Sequence, residues 1–301
     1  MFIKPVSFVR NGLFISIKMI NEELIKIKTK DGEQVALWKI TAPSSQVHQN
    51  IFLGHGTFSN KKVCMGIASF LVEQGYTCWI VEWRNHGESP PPKQHFNYET
   101  IALYDFLAAF DFLFEVKKIQ RLSCIAHSGG GICLAMFLVR YPKYIPKIQR
   151  ITLFGCQSFG AANNVANYTK ILLGKYLTAL TKHIPAEKKG LGEHNESYFL
   201  MKQWFDWNLS KKFNGAGDFD YLENMPLITT PILSICAKGD TFIAPVQGCK
   251  AFLDGFKNPQ NKLLFCSRQN GYLEDYNHSR ILHSSSAKKE IWPIVLNWMS
   301  Q

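Results

Sequence analysis

Short apolar runs alternate with segments of helical spacing along most of this 301-residue chain. The runs have the length of buried strands, and they lie at 50–53, 76–83, 122–126, 151–156, 231–237 and 262–267. Strands that alternate with helices in this way pair in parallel, because each helix carries the chain back to the same edge of the sheet. The alternation therefore predicts an α/β fold with a mostly parallel central sheet and helices on both faces.

Two further patterns complete this expected fold. Residues 23–30 and 34–41 flank an Asp31–Gly32 turn, which predicts a β-hairpin before the first parallel strand. Helical spacing of apolar residues predicts the main helices, which we expect at 61–74, 98–116, 130–141 and 287–299. Pro293 is expected to start or to kink the last of these helices.

The alternation stops between residues 157 and 225. This stretch holds two helical patterns, at 163–183 and 196–213, which are separated by a loop rich in Pro, Lys and Gly. We therefore expect residues 1–301 to form a single α/β domain in which residues 157–225 are a helical cap insertion. With 46% hydrophobic and 19% charged residues, the chain has enough apolar side chains for a full globular core.

The formal net charge of +11 favours anionic partners. The Lys and Arg residues are scattered, and the aromatic residues lie inside apolar runs rather than between basic residues, so we expect no nucleic-acid binding. The remaining expectation is a weak association with membrane surfaces, to which the apolar and basic residues 1–20 would contribute. No apolar run reaches the roughly 18 residues of a membrane span.

The cysteine pattern bears on metals and on location. The eight cysteines form no CxxC pair, so we expect no metal site. Several lie in runs that read as buried strands or core helices, which suits a reducing compartment. Lys4, Arg10 and Lys18 interrupt the apolar N-terminal runs and no small-residue cleavage site follows, so a signal peptide is not expected. The sequence therefore predicts a cytoplasmic protein.

The strongest local motif is Cys124–Gly131, which reads CIAHSGGG. A strand runs directly into a helix with Ser128 at the junction, and the small residues beside it permit the strained turn that pushes a serine hydroxyl out of a sheet. The pattern is G-x-S-x-G with Ala126 in place of the first glycine. The helix N-terminus behind Ser128 offers positive potential to a developing oxyanion. The motif predicts a nucleophilic serine; the alternative is a glycine-rich turn with an incidental serine.

A second motif, Gly54–Phe58 (GHGTF), follows an earlier predicted strand. An oxyanion hole of this type takes one backbone N–H from the residue after the nucleophile and one from the loop after such a strand. Gly129 would supply the first donor and Thr57 the second, with Phe58 as the less favoured candidate. His55 is expected to shape this loop rather than to act as a base.

Together with residues 75–79 (GYTCW) and 83–89 (WRNHGES), these motifs resemble the α/β-hydrolase superfamily, in particular lid-bearing esterases and acid-lipase-type enzymes. The resemblance covers most of the chain from about Leu24 onward and is weakest in residues 157–225. It implies a Ser-acid-His triad in that chain order and no cofactor. His86, in the second of these stretches, is expected to stabilise the turn after Trp83.

The resemblance points to the other two triad members. Asp240 follows the predicted strand 231–237 in the context Gly-Asp, which is similar to the acid loop of the family. His278 follows the last predicted strand, where the family carries its base; His283 is the less favoured choice and is expected to be a surface or capping residue. Asp218 and Asp220 also lie between Ser128 and these histidines, but they fall in the insertion.

These observations predict hydrolysis of a carboxylic ester, including lipid esters or thioesters, through an acyl-enzyme on Ser128. Phe58, His127 and Trp204 are the expected substrate-binding residues, and the apolar cap suggests medium or long acyl groups. Two alternatives stay open: an acyltransferase with the same triad, and a catalytically inactive binding protein of the same fold. The sequence leaves the leaving group and the oligomeric state undetermined.

Overall fold

The computed structural model describes residues 20–43 and 49–301. The predictions made for the N-terminal segment, the absent signal peptide and the membrane contact of residues 1–20, fall outside the described residues except for Ile20. Within the described ranges, no helix is both long enough and apolar enough to cross a membrane.

An eight-stranded sheet forms the centre of the molecule, in the order β1-β2-β4-β3-β5-β6-β9-β10. The predicted hairpin is present as an antiparallel pair, and β2 also pairs antiparallel with β4; the other neighbours are parallel. A separate antiparallel pair joins β7 to β8. The strands are β1 (Asn21–Lys28), β2 (Gln34–Thr41), β3 (Asn50–Gly54), β4 (Thr77–Glu82), β5 (Leu122–His127), β6 (Ile148–Phe154), β7 (His183–Ile184), β8 (Glu196–Ser197), β9 (Ile232–Ala237) and β10 (Lys262–Cys266).

Helices connect the strands and cover the sheet. They are α1 (Lys62–Glu73), α2 (residues 98–116), α3 (Gly129–Arg140), α4 (Val165–Thr181), α5 (Tyr198–Ser210), α6 (Tyr221–Asn224), α7 (Val246–Asp254), α8 (Arg280–His283), α9 (Ser285–Glu290) and α10 (Trp292–Met299). Short 3₁₀ turns lie at Pro142–Lys147, Glu187–Lys189, Ala216–Asp218, Met225–Leu227 and Arg268–Asn270. The sequence patterns had not indicated α7.

Two of the predicted helices differ in detail from a regular α-helix. α2 is continuous over residues 98–116, but Ile101–Phe106 and Phe112–Val116 are wound as π-helix. The predicted C-terminal helix is divided into α9 and α10. Pro293 lies in the first turn of α10, where its missing N–H costs no helical hydrogen bond, so it starts this helix rather than kinking it.

The core lies on both faces of the sheet, because successive residues of each buried strand point to opposite sides. In β3, Phe52 packs on the side covered by α2 and α3, whereas Ile51 and Leu53 pack on the side covered by α1 and α10. Helices on both faces of a mostly parallel sheet are the architecture that the strand–helix alternation predicted.

Residues 157–225 contribute no strand to the eight-stranded sheet. The chain leaves the sheet after β6, forms α4 and α5, which pack against each other, and returns to the sheet at β9. We call residues 157–225 the cap segment. That it is an insertion into one domain stays our interpretation of this path.

Candidate active site

Ser128 lies on a sharp turn between β5 and α3. Its backbone has φ 52° and ψ −124°, a strained conformation for a residue with a side chain, and its N–H is held by the Phe154 carbonyl at 2.9 Å. Gly130 allows this turn to approach β3, since a Cβ at that position would stand 2.4 Å from the His55 carbonyl oxygen and 2.7 Å from that of Gly54. The second glycine after the serine, Gly130, is therefore required by backbone contact.

The structure brings Ser128, His278 and Asp240 into one hydrogen-bonded chain. His278 Nε2 lies 2.8 Å from Ser128 Oγ, and His278 Nδ1 lies 2.5 Å from Asp240 Oδ2. Because a carboxylate accepts, Nδ1 carries the proton, and Nε2 of the neutral ring is free to accept the serine proton. These three side chains come from three different loops, each following a strand of the sheet.

Asp240 is held as a carboxylate. Its side chain is buried, which by itself favours the neutral acid, but His278 outweighs burial and lowers the pKa of Asp240. The N–H groups of Ile243 and Ala244 donate to Oδ1 at 3.1 and 3.0 Å and add to this effect. An ionised, immobile Asp240 can both fix the ring of His278 and stabilise its protonated form.

The candidate oxyanion donors are the N–H of Gly129 and one N–H of the GHGTF loop, that of Thr57 or that of Phe58. Gly129 begins α3, where backbone N–H groups have no helical acceptor. In the GHGTF loop, the Phe58 N–H donates to Glu196 Oε1 at 2.9 Å and is therefore occupied. The Thr57 N–H has no hydrogen-bond partner among the described residues. This difference favours Thr57 over Phe58 as the second donor, the order that the sequence had suggested.

Tyr98 supports the same loop, and the sequence patterns had not indicated it. Its hydroxyl lies 2.7 Å from Thr57 Oγ1, and its ring is fully buried at the start of α2. A Cβ at position 129 would approach Thr57 Oγ1 to 2.7 Å, so Thr57 and Gly129 are packed closely together. The loop and the helix N-terminus therefore form one compact wall beside Ser128.

Two histidines near Ser128 are fixed in neutral forms. His127 Nε2 donates to the His278 carbonyl at 3.0 Å, and burial together with the nearby His278 lowers the pKa of His127 to about 3. His55 Nδ1 donates to the Gly56 carbonyl at 2.8 Å, while its Nε2 accepts from the Trp83 N–H at 3.1 Å. Burial holds the pKa of His55 well below its usual value. His55 therefore shapes the loop, as expected from its position.

A buried ion pair joins the cap segment to this loop. Glu196 Oε1 accepts from His86 Nε2 at 2.9 Å and also from the Phe58 N–H. The side chains of Glu196 and His86 are at most 1% exposed. The Phe58 carbonyl in turn accepts from the His194 N–H at 3.1 Å. The cap segment thus holds Phe58 from both sides. The sequence had suggested that His86 stabilises a turn, and its bond to the Arg84 carbonyl does so, but Glu196 was not foreseen.

A cavity of about 810 Å³ opens at Ser128, Gly129 and His278. The three expected substrate-binding residues, Phe58, His127 and Trp204, all lie on its wall, and so does His283. Other apolar residues of the wall come from the cap segment, α3 and the loop after Asp240: Ile132, Ile171, Leu177, Met201, Phe205 and Phe242. Asp218 and Asp220 do not line it. Among residues 20–43 and 49–301 no cluster of His, Cys, Asp or Glu side chains is arranged to hold a metal ion.

Comparison with known proteins agrees with this architecture. Residues 49–156, which include Ser128 but neither Asp240 nor His278, match a family described as the alpha/beta hydrolase fold. No curated protein matches the sequence. Among solved structures, the chain is similar to the esterase Pf2001 of Pyrococcus furiosus, with 17% identity over 99% of both chains and a TM-score of 0.63.

Two further solved structures are similar at the same level. The esterase EaEST of Exiguobacterium antarcticum has 15% identity and a TM-score of 0.63, over 92% of this chain and 99% of that one. A thioesterase domain from the curacin biosynthetic pathway has 16% identity and a TM-score of 0.58, also over 92% and 99%. At these identities the similarity establishes the fold, and it confirms the predicted fold class.

Proposed function

We propose that this chain, an α/β-hydrolase by its fold, is a serine hydrolase that cleaves carboxylic esters through an acyl-enzyme on Ser128. The observation that carries the proposal is the hydrogen-bonded chain from Ser128 through His278 to Asp240 at the mouth of the cavity. Nucleophile, base and orienting carboxylate lie within hydrogen-bond reach of one another, which is the geometric requirement for an activated serine.

In the first half of the reaction, Ser128 Oγ attacks the carbonyl carbon of the ester while His278 Nε2 takes the hydroxyl proton. The negative charge on the carbonyl oxygen is stabilised by the N–H groups of Thr57 and Gly129. His278 then gives its proton to the leaving oxygen, or to sulfur in a thioester, and the acyl-enzyme remains. Throughout, Asp240 keeps the ring oriented and stabilises its charged form.

In the second half, a water molecule takes the place of the leaving group. His278 removes a proton from the water, the hydroxide adds to the acyl carbon, and the proton returns to Ser128 Oγ as the carboxylic acid departs. The resemblance to two esterases and a thioesterase domain, which are so named, supports ester or thioester substrates. An acyltransferase would use an alcohol in place of this water.

The cavity supports acyl groups of medium or long chain. Its volume of about 810 Å³ exceeds what an acetyl group needs, and its wall is mainly apolar. Burial of each methylene contributes about 0.8 kcal/mol, so longer chains gain binding energy until the cavity is filled. We further propose that the cap segment covers this cavity. We also propose that the protein works in the cytoplasm, because all eight cysteines are unpaired and buried.

The test is covalent labelling with a fluorophosphonate probe, followed by mapping of the modified peptide. We expect wild-type protein to be labelled at Ser128, and Ser128→Ala to lose the label. Ser210→Ala is the matched control, because Ser210 is exposed on α5 and does not line the cavity. Absence of labelling in folded wild-type protein would contradict the proposal and favour the inactive binding protein.

A series of p-nitrophenyl esters from acetate to laurate tests the acyl preference separately. We expect kcat/KM to rise from acetate to at least the octanoate ester. A steady decrease beyond acetate would refute the chain-length proposal and leave the nucleophile assignment intact.

A further inference from the structure

Helix α4 of the cap segment presents an apolar face to the outside of the molecule. Leu180 is 79% exposed, Tyr176 63% and Leu173 56%, and Val165 at the start of the helix is 84% exposed. The last three of these positions along the chain are three and four residues apart, and Val165 lies eight residues before Leu173, so all four lie along one side of the helix. The side that packs against the protein carries the buried residues of α4, which are Asn167, Ile171 and Thr178.

This arrangement reverses the usual pattern of a surface helix. Two of the three buried positions are polar, whereas large apolar side chains face outward. Isolated exposed apolar residues are ordinary, but the row of large apolar side chains from Leu173 to Leu180, over about two turns of one helix, marks a surface that contacts another apolar phase. Leu177, which is 61% exposed, connects this row to the wall of the cavity. The row and the cavity mouth therefore form one continuous apolar surface.

Lysines surround this surface. Lys170, Lys182 and Lys188 are exposed and form no ion pair with any residue in 20–43 or 49–301, whereas Lys175 is paired with Asp206. Two exposed carboxylates lie nearby: that of Glu187, next to Lys188 in the chain, and that of Glu193, which lines the cavity and is paired with Lys62. An apolar row flanked by unpaired cations is complementary to a bilayer of anionic lipids, which has negatively charged head groups over an apolar interior.

We infer that the outer face of α4 docks on an anionic lipid surface and lies in its interface, with the mouth of the cavity directed toward the lipid. The side chains of Leu173, Tyr176 and Leu180 insert among the acyl chains, and the flanking lysines contact the phosphate groups. The attachment that we infer is peripheral, since α4 lies along the interface and not across the bilayer. The inference concerns binding and holds whether or not Ser128 is a nucleophile.

Two other occupants of this face fit the structure less well. A second copy of the chain, docked face to face, would bring the lysines of one copy against those of the other, and each copy carries a net charge of +11. The other is the N-terminal segment. The described chain begins at Ile20, next to Asn21, which pairs with Thr41 at the end of the sheet where the parallel strands begin. α4 lies at the opposite end, where Ser128 follows β5.

Vesicle co-sedimentation tests the inference. Full-length Ser128→Ala protein, used so that no lipid is hydrolysed, is mixed with phosphatidylcholine vesicles that contain either 30% or no phosphatidylglycerol. We expect binding to the anionic vesicles that weakens in 0.5 M NaCl. Leu180→Ser should weaken it roughly tenfold and Leu173→Ser with Leu180→Ser roughly a hundredfold, from the apolar area that each removes. Val116→Ser, at a 64% exposed position at the end of α2, is the matched control and should bind like the parent.

Three results would overturn the inference. One is the absence of specific binding through α4, seen either as no binding to anionic vesicles or as a loss of binding in Val116→Ser equal to that in Leu180→Ser. Another is a dimer in light scattering that Leu180→Ser dissociates, which would assign the face to a second copy. The third is loss of vesicle binding on charge reversal of Lys4 and Arg10 with full retention in Leu180→Ser, which would assign the attachment to the N-terminal segment. Labelling of Ser128 by the fluorophosphonate is independent of all three.

Discussion

Replacing Glu196 by Gln should destabilise the protein in a manner that depends on pH, because this carboxylate pairs with a buried histidine. His86 Nδ1 bonds to the Arg84 carbonyl, and Nε2 faces Glu196; both partners accept, so both ring nitrogens must carry protons. Burial alone would oppose this charge, but the Glu196 carboxylate outweighs it and raises the pKa of His86. The pair therefore contains an imidazolium in the folded state.

A raised folded-state pKa gives the direction of the effect. The pair contributes fully to stability below the unfolded pKa of histidine, which is about 6.5, and this contribution is lost as the pH rises through the higher folded value. In Glu196→Gln the counter-charge is gone, and burial now makes protonation of His86 unfavourable. Because Oε1 alone takes both bonds, the amide oxygen of the variant can keep the bond from the Phe58 N–H, while one ring nitrogen of neutral His86 loses its partner, so only one hydrogen bond is lost at alkaline pH.

Breaking one side of a buried ion pair costs about 3–5 kcal/mol when it leaves an uncompensated charge. We therefore expect Glu196→Gln to lose stability of this order at pH 5.5 and clearly less at pH 9, in urea unfolding curves recorded at both values. Glu187→Gln, an exposed change in the same cap segment, should show no such difference. An equal loss for Glu196→Gln at the two pH values would refute the charged-pair argument.

Substitutions of Glu196 also probe the link between the cap segment and the GHGTF loop. Glu196→Ala removes the acceptor of the Phe58 N–H, and Thr57 is the next residue in the chain. Since small displacements of catalytic groups can reduce rates by two orders of magnitude, we expect kcat for an ester to fall about 10- to 100-fold in Glu196→Ala at pH 9, and less in Glu196→Gln. Unchanged kcat in Glu196→Ala would show that the loop holds its position without the cap segment.

Two further substitutions test other parts of the molecule. Asp240→Asn should lower kcat about 10³- to 10⁴-fold with little change in circular dichroism, because an amide no longer enforces the Nδ1-protonated form of His278; retention of a tenth of kcat would contradict this role. Asp105→Asn should cost about 2–3 kcal/mol in urea unfolding, because Arg84 is 3% exposed and loses a fully buried carboxylate at 2.6 Å, while it keeps its pair with Asp31. Asp254→Asn, in an exposed pair with Lys250, should cost less than about 1 kcal/mol, and a similar loss in both variants would refute the burial argument.

The fold could be predicted because its signals are local. Buried strands such as β5 and β9 are continuous apolar runs, and Gly or Pro residues mark where neighbouring elements end, so each can be recognised without knowledge of its partners. The missed helix α7 illustrates the limit. Its buried residues Cys249, Phe252 and Leu253 do recur at helical spacing, but the helix has only nine residues, and so short a stretch is difficult to distinguish from a loop.

The candidate triad could be proposed for a related reason. Ser128, Asp240 and His278 each follow a strand of the sheet, and the ends of parallel strands meet at one edge, so sequence order and topology together suggest their proximity. Glu196 offers no such signal. It is 110 positions from His86 and 138 from Phe58, and it lies on a two-residue strand of the cap segment, whose position over the sheet is set by tertiary packing alone.

The orientation of α4 is another feature that the sequence could not predict. The sequence predicted a helix over 163–183, and α4 does span Val165–Thr181, but apolar residues occur on nearly every side of it. Periodicity then identifies a helix without identifying its buried face. In the structure the inner face is the one that offers Asn167 hydrogen bonds to the carbonyls of Ala161 and Thr241, bonds that no leucine could make. With this polar side chain satisfied on the inner face, the leucines lie on the outer face, so a helix that lines the cavity also exposes apolar surface beside its mouth.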